Sequence, residues 1–324
     1  MKFRTEYKPV KADFILNPER HVVMLGSCFA DNMRQKMRQC LWRAENPLGT
    51  LYNPLSIERA IRLCLHGDDP QDFLRPSVFQ GTDNIYHSWL FDSKISAGCK
   101  AELNENFIRI SEEFAKDIKD TQALFVTFGT SWCYFLAREP EFVVANCHKQ
   151  PSDMFVRRRL SVQEIVDCWE RLVSDLREYN PGLRIVFTVS PVRHVRDGLE
   201  GNARSKAVLL LAIDELCARL GCCSYFPAYE IVNDDLRDYR FYASDLVHPS
   251  DQAVEYLWEI FKATYIDANG ERLLKEGEKV LKMCSHRPLI ASENEKNLLR
   301  MKAQGQYLSF IDSHPDMMPL HQIF

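Results

Sequence analysis

Short, continuous apolar runs alternate with longer segments of helical periodicity along about the first two thirds of the chain. Runs at 21–25, 123–128 and 184–189 each end at a glycine or a Ser-Pro turn, and a further run covers 222–226. Continuous apolar runs are typical of strands that are covered on both faces. The pattern therefore predicts a parallel β-sheet buried between helices.

The segments between these runs carry apolar residues at helical spacing. Helices are predicted over 31–40, 54–66, 104–118, 161–179, 202–220 and 251–265. Asn53 precedes the second helix as a candidate N-cap, and Ser161 with Glu164 three residues later predicts a capping box at the fourth. Strands that alternate with helices predict a three-layer α/β/α domain.

One internal segment lies outside this alternation. Residues 67–100 hold no long periodic element, so we predict an elaborated loop over one end of the sheet. In open α/β sheets, ligands bind where the strands have their carboxyl ends. We therefore expect the loops that follow Leu25, Phe128 and Val189 to line any site.

Towards the C-terminus the chain becomes charged and weakly amphipathic. Helical composition extends over 271–283, with an interruption at Gly277, and over 293–303. We divide the chain into an α/β domain over 1–265 and a helical extension over 266–324, which covers the core or contacts a partner.

Composition and charge exclude several classes of protein. Hydrophobic residues make up 46% and charged residues 27% of 324, and the formal net charge is -4. This balance is typical of a globular protein and gives no global positive field for nucleic acid or anionic lipid. The chain has neither an apolar run of roughly 18 residues nor an N-terminal signal-peptide pattern. We predict a cytoplasmic protein without a nucleic-acid or membrane partner.

Eleven cysteines raise the question of disulfides and metal sites. The number is odd and no C-x-x-C pair occurs, which favours reduced thiols. Cys147 and His148 are neighbours that could ligate a metal, but no second ligand pair stands at structural-zinc spacing. We predict no metal site and no cofactor.

The first candidate for chemistry is the turn Gly26-Ser27-Cys28, at the junction of a predicted strand and a helix. The N-terminus of a helix offers backbone N–H groups and the positive end of its dipole to a nucleophile or an oxyanion. A thiol at this place is expected to have a lowered pKa. The alternative is a buried Ser-Cys pair that only fills the strand end.

The second candidate is the D-x-x-H sequence formed by Asp245 and His248. A carboxylate three residues before an imidazole can hold the ring while it reaches a nucleophile on another loop. Pro249 and Ser250 then begin the final helix of the domain. An isolated D-x-x-H also occurs by chance. Its place before the final helix, together with the strand-turn candidate near the N-terminus, favours a catalytic pair.

Several longer motifs resemble one family. They are GSCFA at 26–30, NPLGTLYNP at 46–54, FGTSW at 128–132, ANCHK at 145–149, SPVRH at 190–194 and DYRFYASDLVHP at 238–249. In this order they resemble the GSCFA family of the SGNH/GDSL hydrolase superfamily, over roughly residues 20–262. The resemblance implies a three-layer, flavodoxin-like α/β fold.

The superfamily pattern begins with a Gly-Asp-Ser turn whose serine is the nucleophile. On this chain Gly26 matches the glycine, while Ser27 stands in the place of the aspartate and Cys28 in the place of the serine. The register favours Cys28 as the nucleophile, and Ser27 remains the alternative. The last block of the pattern, D-x-x-H, is matched by Asp245 and His248.

The resemblance also implies donors for an oxyanion hole. Gly49 resembles the glycine of the second block, although it could equally be a turn glycine. Ser131 stands where the third block has asparagine, and Asn146 is a possible substitute. His148, beside Asn146, is a candidate for substrate binding.

Two further groups have positive charge or a titratable ring. Arg193 and His194 follow a predicted strand and could contact substrate, or His194 could be structural. The run 157–159 consists of three arginines, which are more often an ion-paired or solvated face than an anion site.

These features together favour an enzyme that hydrolyses acyl esters of small molecules or carbohydrates, without a cofactor. An acyltransferase that carries the acyl group on Cys28 is one alternative. A non-catalytic carbohydrate-binding or scaffold protein on the same fold is the other, because the first and third blocks of the superfamily pattern are altered.

Overall fold

A computed structural model of the chain describes residues 4–65, 77–286 and 292–318. Its strands are β1 (Val22–Gly26), β2 (Ala44–Glu45), β3 (Val78–Gln80), β4 (Tyr86–Ser88), β5 (Ala123–Phe128), β6 (Trp132–Leu136), β7 (Glu139–Val144), β8 (Phe155–Arg159), β9 (Arg184–Val189) and β10 (Cys223–Tyr225). Its longer helices are α1 (Cys28–Arg38), α2 (Pro54–Leu65), α3 (Lys100–Asp120), α4 (Val162–Tyr179), α5 (Gly198–Arg219), α6 (Asp251–Tyr265), α7 (Ala268–Ser285) and α8 (Glu293–Ser313). Short helical turns cover Ser152–Met154, Val195–Asp197, Ala228–Glu230, Ile231–Asp235 and Tyr239–Phe241.

The central sheet has five parallel strands in the order β10-β9-β5-β1-β2. When these five strands are numbered 1 to 5 in chain order, and the sheet is read from β2 to β10, this is the doubly wound order 2-1-3-4-5. The strand order reverses between β1 and β5. Gly26 pairs with Thr127, and Phe128 pairs with Val189, so three strands end at one edge. A ligand crevice is expected at that edge, outside the reversal point.

Helices cover both faces of this sheet. Side chains of α2, α3, α4 and α5 form one hydrophobic core with β1, β5 and β9. Side chains of α1 and α6 form a second core on the opposite face. The predicted three-layer α/β arrangement with a parallel sheet and C-terminal helices is confirmed.

The predicted bounds are correct for β5, β9 and α6, and Ser161 and Glu164 form the predicted capping box at α4. The predicted start of α1 at residue 31 is wrong, because the helix begins at Cys28. Ser27 is extended, with φ -76° and ψ 174°, and its carbonyl accepts the Ala30 N–H at 2.8 Å, which closes the first turn.

Two antiparallel sheets were not predicted. Strands β3 and β4 form a hairpin inside the segment predicted as a loop, of which residues 67–76 lie outside the described part. Strands β7, β6 and β8 form a three-stranded sheet. These strands are short and pair with near neighbours, and β7 and β8 carry charged residues, so only β6 has a continuous apolar run.

The arginines of the run 157–159 lie on β8. Arg157 pairs with Asp197 and lies over the Trp132 ring, 4.4 Å from its centroid. Arg158 pairs with Glu164 at 2.7 Å. As predicted, these two side chains belong to an ion-paired face.

The C-terminal helices pack on the turn that follows α1. The predicted interruption at Gly277 is wrong, because α7 continues through it. A Cβ at Gly277 would lie 2.1 Å from the Cys40 carbonyl oxygen, so the glycine permits a close approach of helix and turn. Leu41 shares a small core with side chains of α7 and α8. The division of the chain at residue 266 stays a prediction.

We expect Gly277→Ala to destabilise the protein by about 1–3 kcal/mol, because the methyl group must push α7 away from backbone atoms that cannot rotate aside. Gly305→Ala on α8 is the matched control, since nothing lies within 4 Å of its Cβ position. There, alanine is expected to stabilise the helix by about 0.5–1 kcal/mol. Urea unfolding of the two variants measures both values, and equal effects would contradict the proposed contact.

Two findings concern disulfide bonds and membrane-spanning helices. All eleven cysteines are free thiols. Within the described ranges, no helix combines the length and the apolar character that crossing a membrane requires.

Candidate active site

The turn between β1 and α1 depends on Gly26. Its φ is +120°, and a Cβ would lie 2.1 Å from the Thr127 carbonyl oxygen on the neighbouring strand. Only glycine fits this conformation and this approach. The turn therefore places Ser27 at the N-cap of α1 and Cys28 at its first helical position, at the edge where β1 and β5 end.

Cys28 is partly buried at the helix N-terminus. The backbone N–H groups of Cys28 and Phe29 favour the thiolate, and so does the charge of Lys206. Burial acts in the opposite direction and is the largest effect, and Asp31 adds to it, so the pKa of Cys28 is raised. The prediction of a lowered pKa is wrong, because loss of solvation outweighs the helix terminus. The thiol therefore needs a base during reaction.

The raised pKa of Cys28 predicts how its alkylation rate depends on pH. We expect the rate of Cys28 alkylation by iodoacetamide to keep rising beyond about pH 8.5, where an ordinary thiol is half ionised. The exposed Cys99 is an internal reference in the same digest. Mass-spectrometric quantification at a series of pH values measures both rates, and a Cys28 rate that levels off below neutrality would contradict the raised pKa.

Ser27 is more enclosed than its neighbour. The residue is 2% exposed, and its hydroxyl has no hydrogen-bond partner among the described residues. It does not cap α1 with its side chain. A buried hydroxyl without a partner is costly in a folded protein.

The Asp245–His248 pair is formed by the loop that precedes α6. His248 Nδ1 lies 2.6 Å from Asp245 Oδ2, and Asp245 Oδ1 accepts the backbone N–H groups of Val247 and His248 at 2.9 and 3.0 Å. These backbone hydrogen bonds are the main cause that lowers the pKa of Asp245 to about 2. The carboxylate is thus ionised and holds the imidazole with Nε2 available for proton transfer.

A cavity of about 270 Å³ brings several of these groups together. Its lining is formed by Ser27, Cys28, Tyr52, Gly129, Ser190, Val192, Arg193, His194, Val195, Arg196, Val247 and His248. Five of the ten predicted site residues line it, and Asp245 is attached through its bond to His248. The cavity lies at the carboxyl ends of β1, β5 and β9, where the topology predicts a crevice.

Arg193 and His194 occupy one wall of this cavity. Arg193 donates to the Asn233 side-chain oxygen at 3.3 Å and to the Tyr239 hydroxyl at 3.4 Å. The His194 ring lies edge-on to Tyr52, with centroids 6.0 Å apart, and forms no hydrogen bond with another described residue. Burial, followed by the charge of Lys206, lowers the pKa of His194.

The residues predicted for the oxyanion hole do not line the cavity. Gly49 has φ +69° and donates its N–H to the Asn46 carbonyl at 3.5 Å, as in a turn. Ser131 is fully buried, and both its N–H and its hydroxyl donate to the hydroxyl of Ser205 on α5. Asn146 donates to the Ser93 hydroxyl at 3.0 Å. Their part in catalysis stays a prediction.

His148 belongs to a separate aromatic cluster. Its Nε2 lies 2.8 Å from the Ser88 carbonyl oxygen, and its ring lies 4.6 Å from that of His87 and 5.6 Å from that of Phe79. Burial lowers its pKa. The structure therefore places this ring away from the cavity that Cys28 lines.

Lys206 is a functional candidate that the sequence analysis missed. It is 1% exposed on α5, and its ammonium donates to the carbonyls of Gly129 at 2.6 Å and Ser190 at 2.7 Å, both in the cavity lining. Burial lowers its pKa to about 7, while the nearby Cys28 favours the charged form. A sequence signal exists, since Lys206 falls at the spacing of the apolar positions Leu209 and Ile213 on one helix face.

Tyr52 was also missed as a site residue. Its ring lines the cavity, and its carbonyl accepts the N–H groups of Gly129 at 2.7 Å and Thr130 at 3.0 Å. Burial and the proximity of Cys28 raise the pKa of its hydroxyl. Among the described residues, no group of three or more His, Cys, Asp or Glu side chains could hold a metal ion.

Comparisons with known proteins give one extensive match. The model of the GSCFA family matches residues 21–261. No curated protein matches the chain. One similar solved structure is a carbohydrate esterase family 2 enzyme with a carbohydrate binding domain, from Corynascus thermopiles (Myceliophthora fergusii), at 16% identity and a TM-score of 0.29. That similarity covers 48% of this chain and only 38% of the esterase chain.

Proposed function

The chain belongs to the GSCFA family, and we propose that it is an ester hydrolase of the SGNH type with Cys28 as nucleophile and His248 as general base. The observation that carries this proposal is a single cavity lined by both Cys28 and His248, the latter held by an ionised Asp245. A nucleophile, a base and a group that orients the base are the parts that acyl transfer requires.

Exposure and position favour Cys28 over Ser27 as the nucleophile. Cys28 is partly exposed to the cavity, whereas the Ser27 hydroxyl is fully enclosed. The Cys28 sulfur also lies against the N–H groups of Cys28 and Phe29. Those groups can donate to the oxyanion that forms next to the sulfur.

The first half-reaction forms a thioester. His248 Nε2 takes the thiol proton as Cys28 Sγ attacks the ester carbonyl carbon, and the carbonyl oxygen becomes the oxyanion. The tetrahedral intermediate then expels the alcohol, which receives the proton from the His248 imidazolium. Asp245 stays ionised throughout and stabilises the imidazolium.

The second half-reaction releases the acid. His248 removes a proton from water as the water oxygen attacks the thioester carbonyl, and collapse of the new intermediate returns the sulfur to Cys28. The proton on His248 then neutralises the thiolate. An added alcohol in place of water would give acyl transfer, so product analysis with and without an alcohol distinguishes the two reactions.

The test is hydrolysis of 4-nitrophenyl acetate by the wild type and by His248→Ala. We expect kcat/KM to fall by about 10²–10⁴-fold, because general-base catalysis is removed. His314→Ala is the matched control, since this ring pairs with Glu19 and lies outside the cavity lining. Equal activity in the wild type and His248→Ala would overturn the proposal.

A further inference from the structure

The wall of the cavity that follows β9 carries two arginines, Arg193 and Arg196. Arg193 donates to two uncharged groups, the Asn233 amide oxygen and the Tyr239 hydroxyl. Arg196 is exposed. Within the described ranges neither guanidinium forms an ion pair with a carboxylate. This wall therefore has two positive charges that no protein carboxylate neutralises.

The acidic groups near the cavity are engaged elsewhere. Asp197 pairs with Arg157, and Asp245 pairs with His248. Asp31, on the first turn of α1, lies 3.3 Å from Arg34 Nε. Each of these carboxylates thus has a partner of its own, and none pairs with Arg193 or Arg196.

Further positive potential comes from beneath the cavity. Lys206 is buried against the lining carbonyls of Gly129 and Ser190, and the N-terminus of α1 points its N–H groups to the same edge. Charges of one sign around a concave site raise the local concentration of the oppositely charged ligand.

We propose that this cavity takes a small ester that carries a negative charge, a carboxylate or a phosphate, whose anionic group contacts Arg193 and Arg196 while its ester carbonyl lies at Cys28. This inference rests on the proposed function for the position of the ester. The volume of about 270 Å³ lies near the lower end of the range for small-molecule sites. Arginine binds both carboxylate and phosphate through paired N–H groups.

The test compares two alkylating probes of nearly equal size, iodoacetate and iodoacetamide. In each case the Cys28 sulfur displaces iodide and forms a thioether, so the reaction needs no hydrolysis, and only iodoacetate is charged. For each probe the rate at Cys28 is divided by the rate at the exposed Cys99 in the same sample. We expect this ratio to be about tenfold larger for iodoacetate than for iodoacetamide at low salt, as in electrostatic focusing. The factor between the two probes is the iodoacetate preference of Cys28.

Two variants assign this preference to the arginines. Arg196→Gln is expected to reduce it by at least about twofold, and Arg193→Gln with Arg196→Gln to reduce it further, because only the contribution of Lys206 and the α1 N-terminus then remains. Arg138→Gln is the control of equal charge, because Arg138 is exposed on the turn between β6 and β7 and lies outside the cavity lining. An unchanged preference in the double variant, or equal loss in Arg138→Gln, would overturn the inference.

Competition then identifies the anion. Inorganic phosphate and succinate are each added at constant ionic strength, and the one that slows Cys28 alkylation more is the better model of the anionic group. Protection by neither anion would overturn the inference. If the iodoacetate preference depends on the arginines but His248→Ala hydrolyses esters as well as the wild type, the anion site stands and the proposed function fails.

Discussion

Replacement of Cys28 by alanine is expected to lower kcat/KM for ester hydrolysis by at least about a thousandfold, because the covalent route through a thioester is removed. The fold should be unaffected, since the residue is only partly buried and alanine is a good helix former. Initial rates with 4-nitrophenyl acetate, together with urea unfolding, measure both properties. Activity close to that of the wild type would show that Cys28 is not the nucleophile.

Ser27→Ala provides the comparison that separates the two candidate nucleophiles. We expect a loss of less than about tenfold, because the Ser27 hydroxyl is enclosed and forms no hydrogen bond with another described residue. A loss of at least about a thousandfold in Ser27→Ala, together with an active Cys28→Ala, would assign the nucleophile to Ser27. Labelling with a fluorophosphonate and with iodoacetamide identifies the modified residue directly by mass spectrometry.

Replacement of Lys206 by methionine is expected to lower kcat/KM at about pH 7 by about 10²-fold, because it removes a positive charge that stabilises the Cys28 thiolate. The change also leaves the carbonyls of Gly129 and Ser190, at the ends of β5 and β9, without their donor. An unpartnered buried acceptor costs about 1–3 kcal/mol. Lys119→Met on the exposed side of α3 is the control for a generic Lys-to-Met effect.

The lowered pKa of Lys206 determines how the stability difference between the wild type and Lys206→Met changes with pH. The pKa of Lys206 is about 7 in the folded protein and about 10.4 in an unfolded chain. Between these values the unfolded chain holds a proton that the folded protein has lost, so this group's contribution to the free energy of unfolding rises with pH. The free energy of unfolding of the wild type should therefore rise, relative to that of Lys206→Met, by up to about 1.4 kcal/mol per pH unit from about pH 7 to 10. A constant difference would mean that Lys206 keeps an ordinary pKa.

The features that could be predicted from the sequence depend on residues that are close together along the chain. The bounds of β5 and β9 follow from continuous apolar runs that end at turn residues. The Asp245–His248 geometry is local too, because Asp245 accepts the backbone N–H groups two and three residues ahead as well as the ring. The start of α1 was misplaced because an extended Ser27 ends the turn without a side-chain cap.

The composition of the cavity was much less accessible to sequence reasoning. Lys206 comes from the middle of α5, and Tyr52 from the loop before α2, so no spacing links either of them to Cys28. The Gly49 N–H and the Ser131 hydroxyl, which motif positions suggested for the oxyanion, are taken up by the Asn46 carbonyl and the Ser205 hydroxyl. Sequence position does not reveal which partner a donor meets after folding.

The sequence by itself determined the layered α/β architecture, the strand-turn-helix that presents Cys28, and the Asp245–His248 pair, because each depends on periodicity or on contacts within a few residues. Only the tertiary structure decided the direction of the Cys28 pKa and the contact of Lys206 with the cavity lining. Both depend on burial and on charges that come from distant parts of the chain, and loss of solvation at Cys28 exceeds the local effect of the helix N-terminus.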